Sequence, residues 1–264
     1  MSYRLTLLGT GSSGGVPRLG PSWGQCDPTN PRNRRLRCSA LVERISGRGR
    51  TTVLIDTSPD LRAQLLDAHV THLDGVLYTH DHADHTHGID DLRMIAFLMK
   101  RRIDAYFDES TRQSLMSRFG YCFETPVGSN YPPILTAHDM HPLRPITIDG
   151  AGGPIEVLPI PQEHGDAGSL GFRFGDVAYS PDVAGLSDAS AERLQRLDLW
   201  IVDALRYIPH PSHFSVKQAL QWIERLKPKR AVLTHLHIDL DYAALKRELP
   251  AHVEPAYDGM QIHF

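Results

Sequence analysis

The sequence predicts a layered α/β fold, and three features carry this prediction. Apolar strand-like runs alternate with runs that place apolar residues at helical intervals. Several of the strand-like runs end in histidine or aspartate. The chain has 264 residues, of which 41% are hydrophobic, and no linker-like segment divides it. This size and composition are typical of a single domain over residues 1–264.

The first part of the chain contains strands that run into polar turns. One strand ends at Asp56, where Ser58 is predicted to be the N-cap of a helix with Pro59 at its first position. Another strand enters the glycine-rich turn "GTGSSGG", and a third enters a histidine cluster. The predicted strands lie at 3–9, 50–56 and 74–80.

The second part of the chain repeats this pattern. Ser215 is predicted to cap a helix whose apolar residues recur at helical spacing, and a shorter helix is predicted at 241–249. The two central strands of this part are joined by "GD" and predict a hairpin. The predicted strands lie at 155–164, 168–174, 176–182, 197–204 and 230–237.

Residues 100–150 differ from the rest of the chain. Their apolar periodicity is weak, and they contain many proline, glycine and polar residues. Long segments of this kind in a compact domain are usually functional loops. We therefore expect an insertion or a lid at about 100–150.

The overall composition restricts the partners. The formal net charge is −3, so no global basic field is available for a long nucleic acid. The chain has only three cysteines, which is typical of a reducing compartment. We find no signal-like N-terminus and no apolar run of about 18–20 residues. We expect a cytoplasmic protein without a membrane partner, and a homodimer would be compatible with this length.

The stretch "YTHDHADHTHG" (78–88) carries the strongest functional signal. Its pattern H-x-H-x-D-H places His80, His82, Asp84 and His85 in one turn after a strand. The first two histidines can chelate one ion, and Asp84 with His85 can serve a second ion nearby. Zinc and manganese both accept this mixture of nitrogen and oxygen ligands.

Three further candidate ligands follow apolar strands elsewhere in the chain. They are His164, Asp182 and His235. Because strand ends on one edge of a sheet converge, separate loops can close around one site. We predict that Asp182 bridges two ions and that His235 completes the second site.

With this pattern the sequence resembles the metallo-β-lactamase superfamily over nearly its whole length. The resemblance implies a four-layer αβ/βα sandwich of the metallo-hydrolase/oxidoreductase type, with two divalent metal ions, zinc or manganese, at one edge. It also implies that Asp56 is a buried carboxylate that supports the site without binding metal. The implied ligands are His80, His82 and His164 for the first ion, Asp84, His85 and His235 for the second, and Asp182 for both.

The stretch "PHPSHFSV" (209–216) points to one branch of that superfamily. In the phosphodiesterase branch a histidine at the place of His213 is the general acid, with His210 as the competing candidate here. Asp84 is expected to orient the attacking hydroxide. The terminal segments are similar to the phosphoribosyl cyclic phosphate phosphodiesterases. They are more distantly similar to the tRNA 3′-end processing endonucleases and the pyrroloquinoline quinone biosynthesis protein B family.

The expected function is therefore that of a dinuclear metal-dependent phosphodiesterase. Its substrate would be a small, possibly cyclic phosphate diester, such as phosphoribosyl 1,2-cyclic phosphate or a nucleotide-like cyclic phosphate. The alternatives are a tRNA 3′-end endoribonuclease, a thioester or lactone hydrolase, and a non-catalytic carrier in cofactor biosynthesis. The complete ligand set argues against the carrier, and the low positive charge argues against the endoribonuclease.

The loop after the first strand and the end of the chain offer candidate substrate contacts. Arg37, in the run "RNRRLR", would grip a phosphate, or the run is a solvated face. Ser12 and Ser13 would cradle a phosphate, or their turn is only a tight turn. His237 would touch phosphate or have a structural role. Members of the cyclic phosphodiesterase family can carry a cysteine-rich zinc site in this loop, and the spacing of its two cysteines here predicts none.

Overall fold

Two seven-stranded sheets lie at the centre of the computed structural model, which describes residues 2–264. The strands of the first sheet are ordered β14-β1-β2-β3-β4-β5-β6, and those of the second β13-β12-β11-β10-β9-β8-β7. The strands are β1 (Ser2–Gly9), β2 (Ser39–Ser46), β3 (Gly49–Ile55), β4 (Gly75–Leu77), β5 (Ile103–Phe107), β6 (Leu135–Asp139), β7 (Ile146–Ile148), β8 (Ile155–His164), β9 (Ala167–Phe174), β10 (Val177–Ser180), β11 (Leu199–Asp203), β12 (Arg230–Thr234), β13 (Val253–Pro255) and β14 (Met260–His263).

Helices cover the outer faces of both sheets. Each sheet therefore buries one face against the other sheet and one face against helices. Short 3₁₀ turns occur at Pro31–Asn33, Ile89–Asp91 and Gly120–Cys122. The α-helices are α1 (Leu61–Asp67), α2 (Ala83–Thr86), α3 (Leu92–Met99), α4 (Glu109–Phe119), α5 (Asp188–Arg193), α6 (Val216–Leu226) and α7 (Tyr242–Glu248).

Strand β3 shows how the sequence produces these layers. Val53 and Ile55 lie in the core between the sheets, whereas Leu54 lies in the core beneath the helices. Successive side chains on a strand point to opposite faces, so an uninterrupted apolar run fills two cores at once. The four-layer αβ/βα sandwich expected from the sequence is confirmed.

Parallel pairing brings several strand ends to one edge. β3, β4, β5 and β6 are mutually parallel, as are β10, β11, β12 and β13. The polar residues that follow β3, β4 and β12 therefore emerge on the same side of their sheets. This edge carries the histidine turn.

The helix after β3 begins later than its sequence predicts. Its N-cap is Asp60, and the Ser58 hydroxyl accepts a hydrogen bond from the Asp60 amide instead of capping the helix. Thr57 is held by the histidine turn, because its amide donates to the His85 carbonyl and its carbonyl accepts from the Gly88 amide. In contrast, Ser215 caps α6 in a full capping box with Gln218, as predicted.

Residues 100–150, expected to form an insertion or a lid, belong instead to the body of the sandwich. β5 and β6 form one side of the first sheet, and β7 is the edge strand of the second. α4 packs its buried Leu115 into the core beneath the first sheet. The strands of this region are short and separated by turns, so the apolar residues form no long periodic run.

Among residues 2–264, no helix combines the length and the apolar character that a bilayer crossing requires.

A buried arginine holds the loop after β1 in place. The side chain of Arg35 is almost completely buried and donates to the carbonyls of Leu240 at 2.7 Å and His237 at 3.2 Å. Its guanidinium also lies 3.7 Å from the sulfur of Cys26, which in turn contacts the Ile238 carbonyl. The guanidinium of Arg35 and the sulfur of Cys26 thus fix the loop to the backbone of the segment 237–241.

The other arginines of this run also have structural partners. The guanidinium of Arg32 lies over the rings of Tyr242 and Tyr257, at 4.9 and 4.6 Å from their centroids. Arg37 forms a two-pronged ion pair with Asp60, with both distances 2.7 Å. The run is therefore mainly an anchor for the loop and not a solvated charged face.

We expect Arg35→Met to destabilise the protein by about 2–4 kcal/mol, because the carbonyls of Leu240 and His237 would lose their buried donor. Urea unfolding of metal-depleted protein measures this change. The exposed neighbour Arg34 provides the control, and Arg34→Met should lie within about 0.5 kcal/mol of wild type. Equal stabilities for both variants would contradict the anchoring role.

Candidate metal centre

The residues predicted as metal ligands converge at the edge of the two sheets. The side chains of His80, His82 and His164 form one group whose ligand atoms all lie within 4.8 Å of one another. Asp84, His85 and His235 form a second group by the same measure. The two groups come from the two halves of the chain, since the second sheet supplies His164 and His235.

The first group has the spacing of ligands on one ion. His82 Nδ1 lies 3.2 Å from His164 Nε2. Two nitrogens bound tetrahedrally to zinc are about 3.3 Å apart, given Zn–N bonds of about 2.0–2.1 Å. The ring of His80 lies 4.5 Å from that of His82 and 4.9 Å from that of His164, both edge-on. The three imidazoles therefore surround one position.

Asp182 lies between the two groups. Its Oδ2 is 3.1 Å from His85 Nε2, and its Oδ1 is 3.4 Å from His235 Nε2 and 3.9 Å from His164 Nε2. Asp84 Oδ2 closes the second group at 3.5 Å from His85 Nε2. Asp182 Oδ1 thus lies near a histidine of each group, and Oδ2 lies near His85 of the second group, which is the placement expected of a bridging ligand.

A single buried carboxylate orients ligands of both groups. Asp56 Oδ2 accepts a hydrogen bond from His85 Nδ1 at 2.7 Å and from the Thr79 hydroxyl at 2.8 Å. The Thr79 oxygen lies 2.9 Å from His80 Nδ1 and can accept its proton. With both Nδ1 atoms protonated, the Nε2 lone pairs of His80 and His85 point into the cluster. Asp56 thus supports the site without lying among its ligands.

Two residues of the site have left-handed backbone conformations. Asp56 has φ 60° and His235 has φ 59°, and neither is glycine or asparagine. Such conformations cost free energy and persist where surrounding contacts enforce them. At Asp56 those contacts are the hydrogen bonds to His85 and to the Thr79 amide.

The donor set fits divalent metal ions. His80 Nε2, His235 Nε2 and Asp182 Oδ2 are buried and have no hydrogen-bond partner among residues 2–264. A buried polar atom without a partner costs about 1–3 kcal/mol. Two of these atoms are imidazole nitrogens and the third is a carboxylate oxygen. Cations that accept their lone pairs explain why such atoms are buried together.

The electrostatics of the cluster prepare it for cations. Burial lowers the pKa of His80 well below its usual range and that of His164 to about 4, which keeps both imidazoles neutral. Burial acts on Asp182 in the opposite sense, but His235 and His85 outweigh it and hold the pKa of that carboxyl well below its usual range. Neutral imidazole and ionised carboxylate are the forms that bind metal. Burial acts to lower the pKa of His85, but Asp182, Asp84 and Asp56 outweigh it and raise that pKa well above its usual range, so His85 releases a proton when it binds a cation.

His213 lies beside the cluster and is held by a second buried carboxylate. Its Nδ1 is 2.7 Å from Asp203 Oδ2, and its ring stacks on His235 with centroids 4.6 Å apart. Burial lowers the pKa of His213, while Asp182 acts to raise it. His210, the competing candidate, is less buried, and its Nδ1 lies 3.0 Å from the Ser212 hydroxyl. No carboxylate holds it in the part of the chain that the structure describes.

The sequence analysis did not assign Asp203 to the site. A signal was available, because Asp203 ends strand β11 as a buried aspartate, much as Asp56 follows β3. The role of Thr79 was also missed, since a threonine between a tyrosine and a histidine has no distinguishing pattern. Its position became meaningful only through the contacts with Asp56 and His80.

The residues predicted to contact the substrate differ in their burial and in their partners. Ser12 is buried and Ser13 is exposed, both in the turn after β1. Arg37 is committed to Asp60, so its guanidinium fork is not available to a phosphate. His237 lies two residues beyond His235 and contacts Arg18, which the sequence analysis did not select.

Comparisons with known proteins agree with this architecture. The profile of the Beta-lactamase superfamily domain matches residues 51–236. A crystal structure described as a new diphosphatase from the PhnP family is 36% identical, with TM-score 0.87, and the match covers 100% of this chain and 98% of that chain. Zinc-bound PqqB from Methylobacterium extorquens is 16% identical, with TM-score 0.70 and coverage of 98% and 99% of the two chains, a likeness of fold alone.

Two further similar proteins have names that describe other activities. The short form of human tRNase Z shares the fold at 17% identity and TM-score 0.63, with 98% of each chain covered. An octanoyltransferase of Porphyromonas gingivalis is 33% identical over 98% of this chain and 51% of its own length. The chain therefore spans about half of that curated relative.

We expect Asp182→Ala to lose the ability to retain metal ions, because Asp182 contacts both ligand groups. Inductively coupled plasma mass spectrometry after loading and desalting measures the metal content per chain. Asp176→Ala, at an exposed position in the turn between β9 and β10, is the matched control and should keep the wild-type content. Full metal content in Asp182→Ala would contradict the bridging position.

We expect Asp56→Asn to weaken metal binding by about 10–100-fold while preserving the fold, because an amide cannot fix His85 and Thr79 in the same way. Competition with a coloured chelator measures the affinity. Asp74→Asn, which changes a buried aspartate bonded to the Thr52 amide, controls for the loss of a buried charge. An unchanged affinity in Asp56→Asn would show that the histidines orient themselves without it.

Proposed function

The chain belongs to the beta-lactamase superfamily and, within it, to the PhnP family, and on this basis we propose that it is a dinuclear metal-dependent phosphodiesterase. The family and the diphosphatase neighbour support hydrolysis as the general activity of this chain. The proposal adds the number of ions, the bond that is cleaved and the residues that act on it. Its substrate would be a small phosphate diester, cyclic or nucleotide-like.

Two ions are supported by the division of the ligands. Each group has three protein ligands, and Asp182 contacts both groups. Zinc and manganese both suit the donors. Two divalent ions, when bound, lower the pKa of water and polarise a phosphoryl oxygen. Asp84, which lies at the edge of the second group and is partly exposed, is placed to orient the attacking water.

The pair His213–Asp203 is the observation that carries the phosphodiesterase proposal. Asp203 binds Nδ1 of His213, so the opposite ring nitrogen, Nε2, is the one that can deliver a proton. An alkoxide leaving a phosphodiester needs that proton, and a histidine is suited to supply it near neutral pH. Asp203 fixes the orientation of the ring, because it holds Nδ1 at 2.7 Å.

The similar solved structure with 36% identity supports chemistry at phosphorus. It is described as a diphosphatase, and cleavage of a diphosphate also involves attack on phosphorus and departure of an oxygen. A diphosphate diester is therefore a reasonable companion substrate in the assay. The relative named octanoyltransferase is about twice as long as this chain, so we include an octanoyl thioester only as the control for acyl chemistry.

We expect manganese-loaded protein to hydrolyse bis(p-nitrophenyl) phosphate and 5-phosphoribosyl 1,2-cyclic phosphate, and chelator to abolish both activities. Release of p-nitrophenolate and phosphorus NMR measure the two reactions. Hydrolysis of the octanoyl thioester, with no reaction at either phosphate ester by protein shown to hold two ions, would replace this proposal with acyl hydrolysis. Cleavage of precursor tRNA alone would replace it with RNA processing.

We expect His213→Ala to lower kcat for a diester with an alkyl leaving group by about 10²–10⁴-fold. The decrease should be much smaller for p-nitrophenolate, which departs without a proton. His210→Ala is the matched control, because His210 is a neighbouring histidine 5.3 Å from the His213 ring and has no carboxylate partner among residues 2–264. Loss of metal from His213→Ala would identify the residue as a ligand, and equal decreases for both leaving groups would exclude it as the acid.

A further inference from the structure

We propose that Arg118 and Ser114 of α4 position the metal ligand His82, because they hold its neighbour Asp81 at the start of the histidine turn. Both are positioning residues, since neither belongs to the two ligand groups. The inference rests on the proposed dinuclear centre, but metal binding tests it without any choice of substrate. It gives α4, which lies within the stretch 100–150, a direct part in forming the site.

His82 differs from the other two ligands of the first group in how its ring is supported. His80 Nδ1 lies 2.9 Å from the Thr79 hydroxyl, and both residues are buried. His164 Nδ1 lies 2.6 Å from the Ser212 carbonyl. His82 is exposed and turns Nδ1 towards His164, and no group within residues 2–264 forms a hydrogen bond with its Nε2. The position of this ligand therefore depends on the backbone that carries it.

The peptide that precedes His82 is held from α4. Arg118 Nη2 donates to the Asp81 carbonyl at 2.5 Å and lies 3.0 Å from Asp81 Oδ2. The Ser114 hydroxyl donates to the same Oδ2 at 2.5 Å, and its oxygen lies 2.7 Å from Arg118 Nη2. The Asp81 carbonyl shares a planar peptide unit with the amide and Cα of His82, so a donor to this carbonyl fixes the plane that carries the ligand.

The peptide that follows His82 is held within the turn itself. Its carbonyl accepts from the Thr86 hydroxyl at 2.9 Å and from the His85 amide at 3.0 Å. The Thr86 oxygen is farther from the Asp81 carbonyl, at 3.4 Å, and a hydroxyl has only one proton to donate. Arg118 is therefore the main donor to that carbonyl, and together the two supports set the direction of the His82 side chain.

Helix α4 is built to provide this support. Ser114 and Arg118 are four residues apart, so they share one face of the helix. The intervening Leu115 is buried in the core beneath the first sheet, which fixes the rotation of the helix. The ring of Phe119 packs edge-on against His87, with centroids 5.6 Å apart. α4 thus contacts the histidine turn both before and after its ligands.

The exposure of the pair separates a role at the metal site from a role in folding. The side chains of Arg118 and Asp81 are 33% and 39% exposed. Ion pairs of this exposure add little to the stability of the fold. Loss of Arg118 should therefore change metal affinity while leaving the melting temperature of the metal-depleted protein nearly constant.

Cobalt titration of metal-depleted protein tests the positioning role independently of catalysis. We expect wild type to bind two ions and Arg118→Met to bind one of them about 10–100-fold more weakly, measured by visible absorption in competition with a chelator. The matched control is Arg112→Met, which breaks an ion pair of similar exposure with Asp139 on the same helix. It should bind both ions as wild type does, and all three metal-depleted proteins should melt within about 3 °C of one another.

The titration distinguishes failure of this inference from failure of the proposed function. Equal affinities in wild type and Arg118→Met would overturn the positioning role, and so would an equal loss in Arg112→Met. A wild type that binds fewer than two ions would refute the dinuclear centre itself.

Rescue by a conservative variant provides the second test. Arg118 makes its contacts with Asp81 and with the Ser114 hydroxyl through the single nitrogen Nη2, and a lysine ammonium also offers several donors from one nitrogen. We expect Arg118→Lys to bind both cobalt ions within about threefold of wild type. An affinity as low as that of Arg118→Met would overturn the assignment to these contacts.

Nitrogen NMR of histidine-labelled protein identifies the ligand that is affected. His82 presents Nδ1 to the cluster, whereas the Nδ1 atoms of His80, His85 and His164 are bonded elsewhere. At a free zinc concentration near the wild-type dissociation constant, we expect the signal of a zinc-bound Nδ1 to be lost in Arg118→Met and kept in Arg112→Met. Retention of that signal in Arg118→Met would overturn the inference.

Discussion

The hydrogen bonds of Asp56 are the constraint on which the metal centre depends. One buried carboxylate binds His85 directly and reaches His80 through Thr79, so ligands of both groups are oriented by the same side chain. Its left-handed backbone conformation is maintained by these bonds and by the Thr79 amide. Without this network the imidazoles could turn their protons inwards, and the lone pairs would no longer converge.

The cluster also links the two halves of the sandwich. The turn after β4 contributes His80 to His85, whereas β8, the loop after β10 and the end of β12 contribute His164, Asp182 and His235. Lone pairs buried without partners make this junction unfavourable in the absence of cations. Cation binding would therefore stabilise the folded chain and fix the relative position of the two sheets at the site.

Two carboxylates with similar positions have different functions. Asp56 directs a ligand histidine towards the metal centre, and Asp203 directs His213, which lies against the ligand ring of His235. The loop after β1 contributes in another way, because its buried Arg35 is a structural anchor and its Arg18 contacts His237.

The sequence by itself determined the layered fold and the identity of the ligand cluster. H-x-H-x-D-H is a local pattern, and apolar runs that end in His164, Asp182 or His235 reveal strand ends that must meet at one edge. Tertiary structure alone decided what the isolated polar residues do. Asp203 and Thr79 acquire roles through their contacts with His213, Asp56 and His80, and Arg37 loses its predicted role through its pairing with Asp60. Residues 100–150 contribute strands that pair at the edges of the two sheets. Local periodicity does not encode this pairing, because it depends on hydrogen bonds between separate segments.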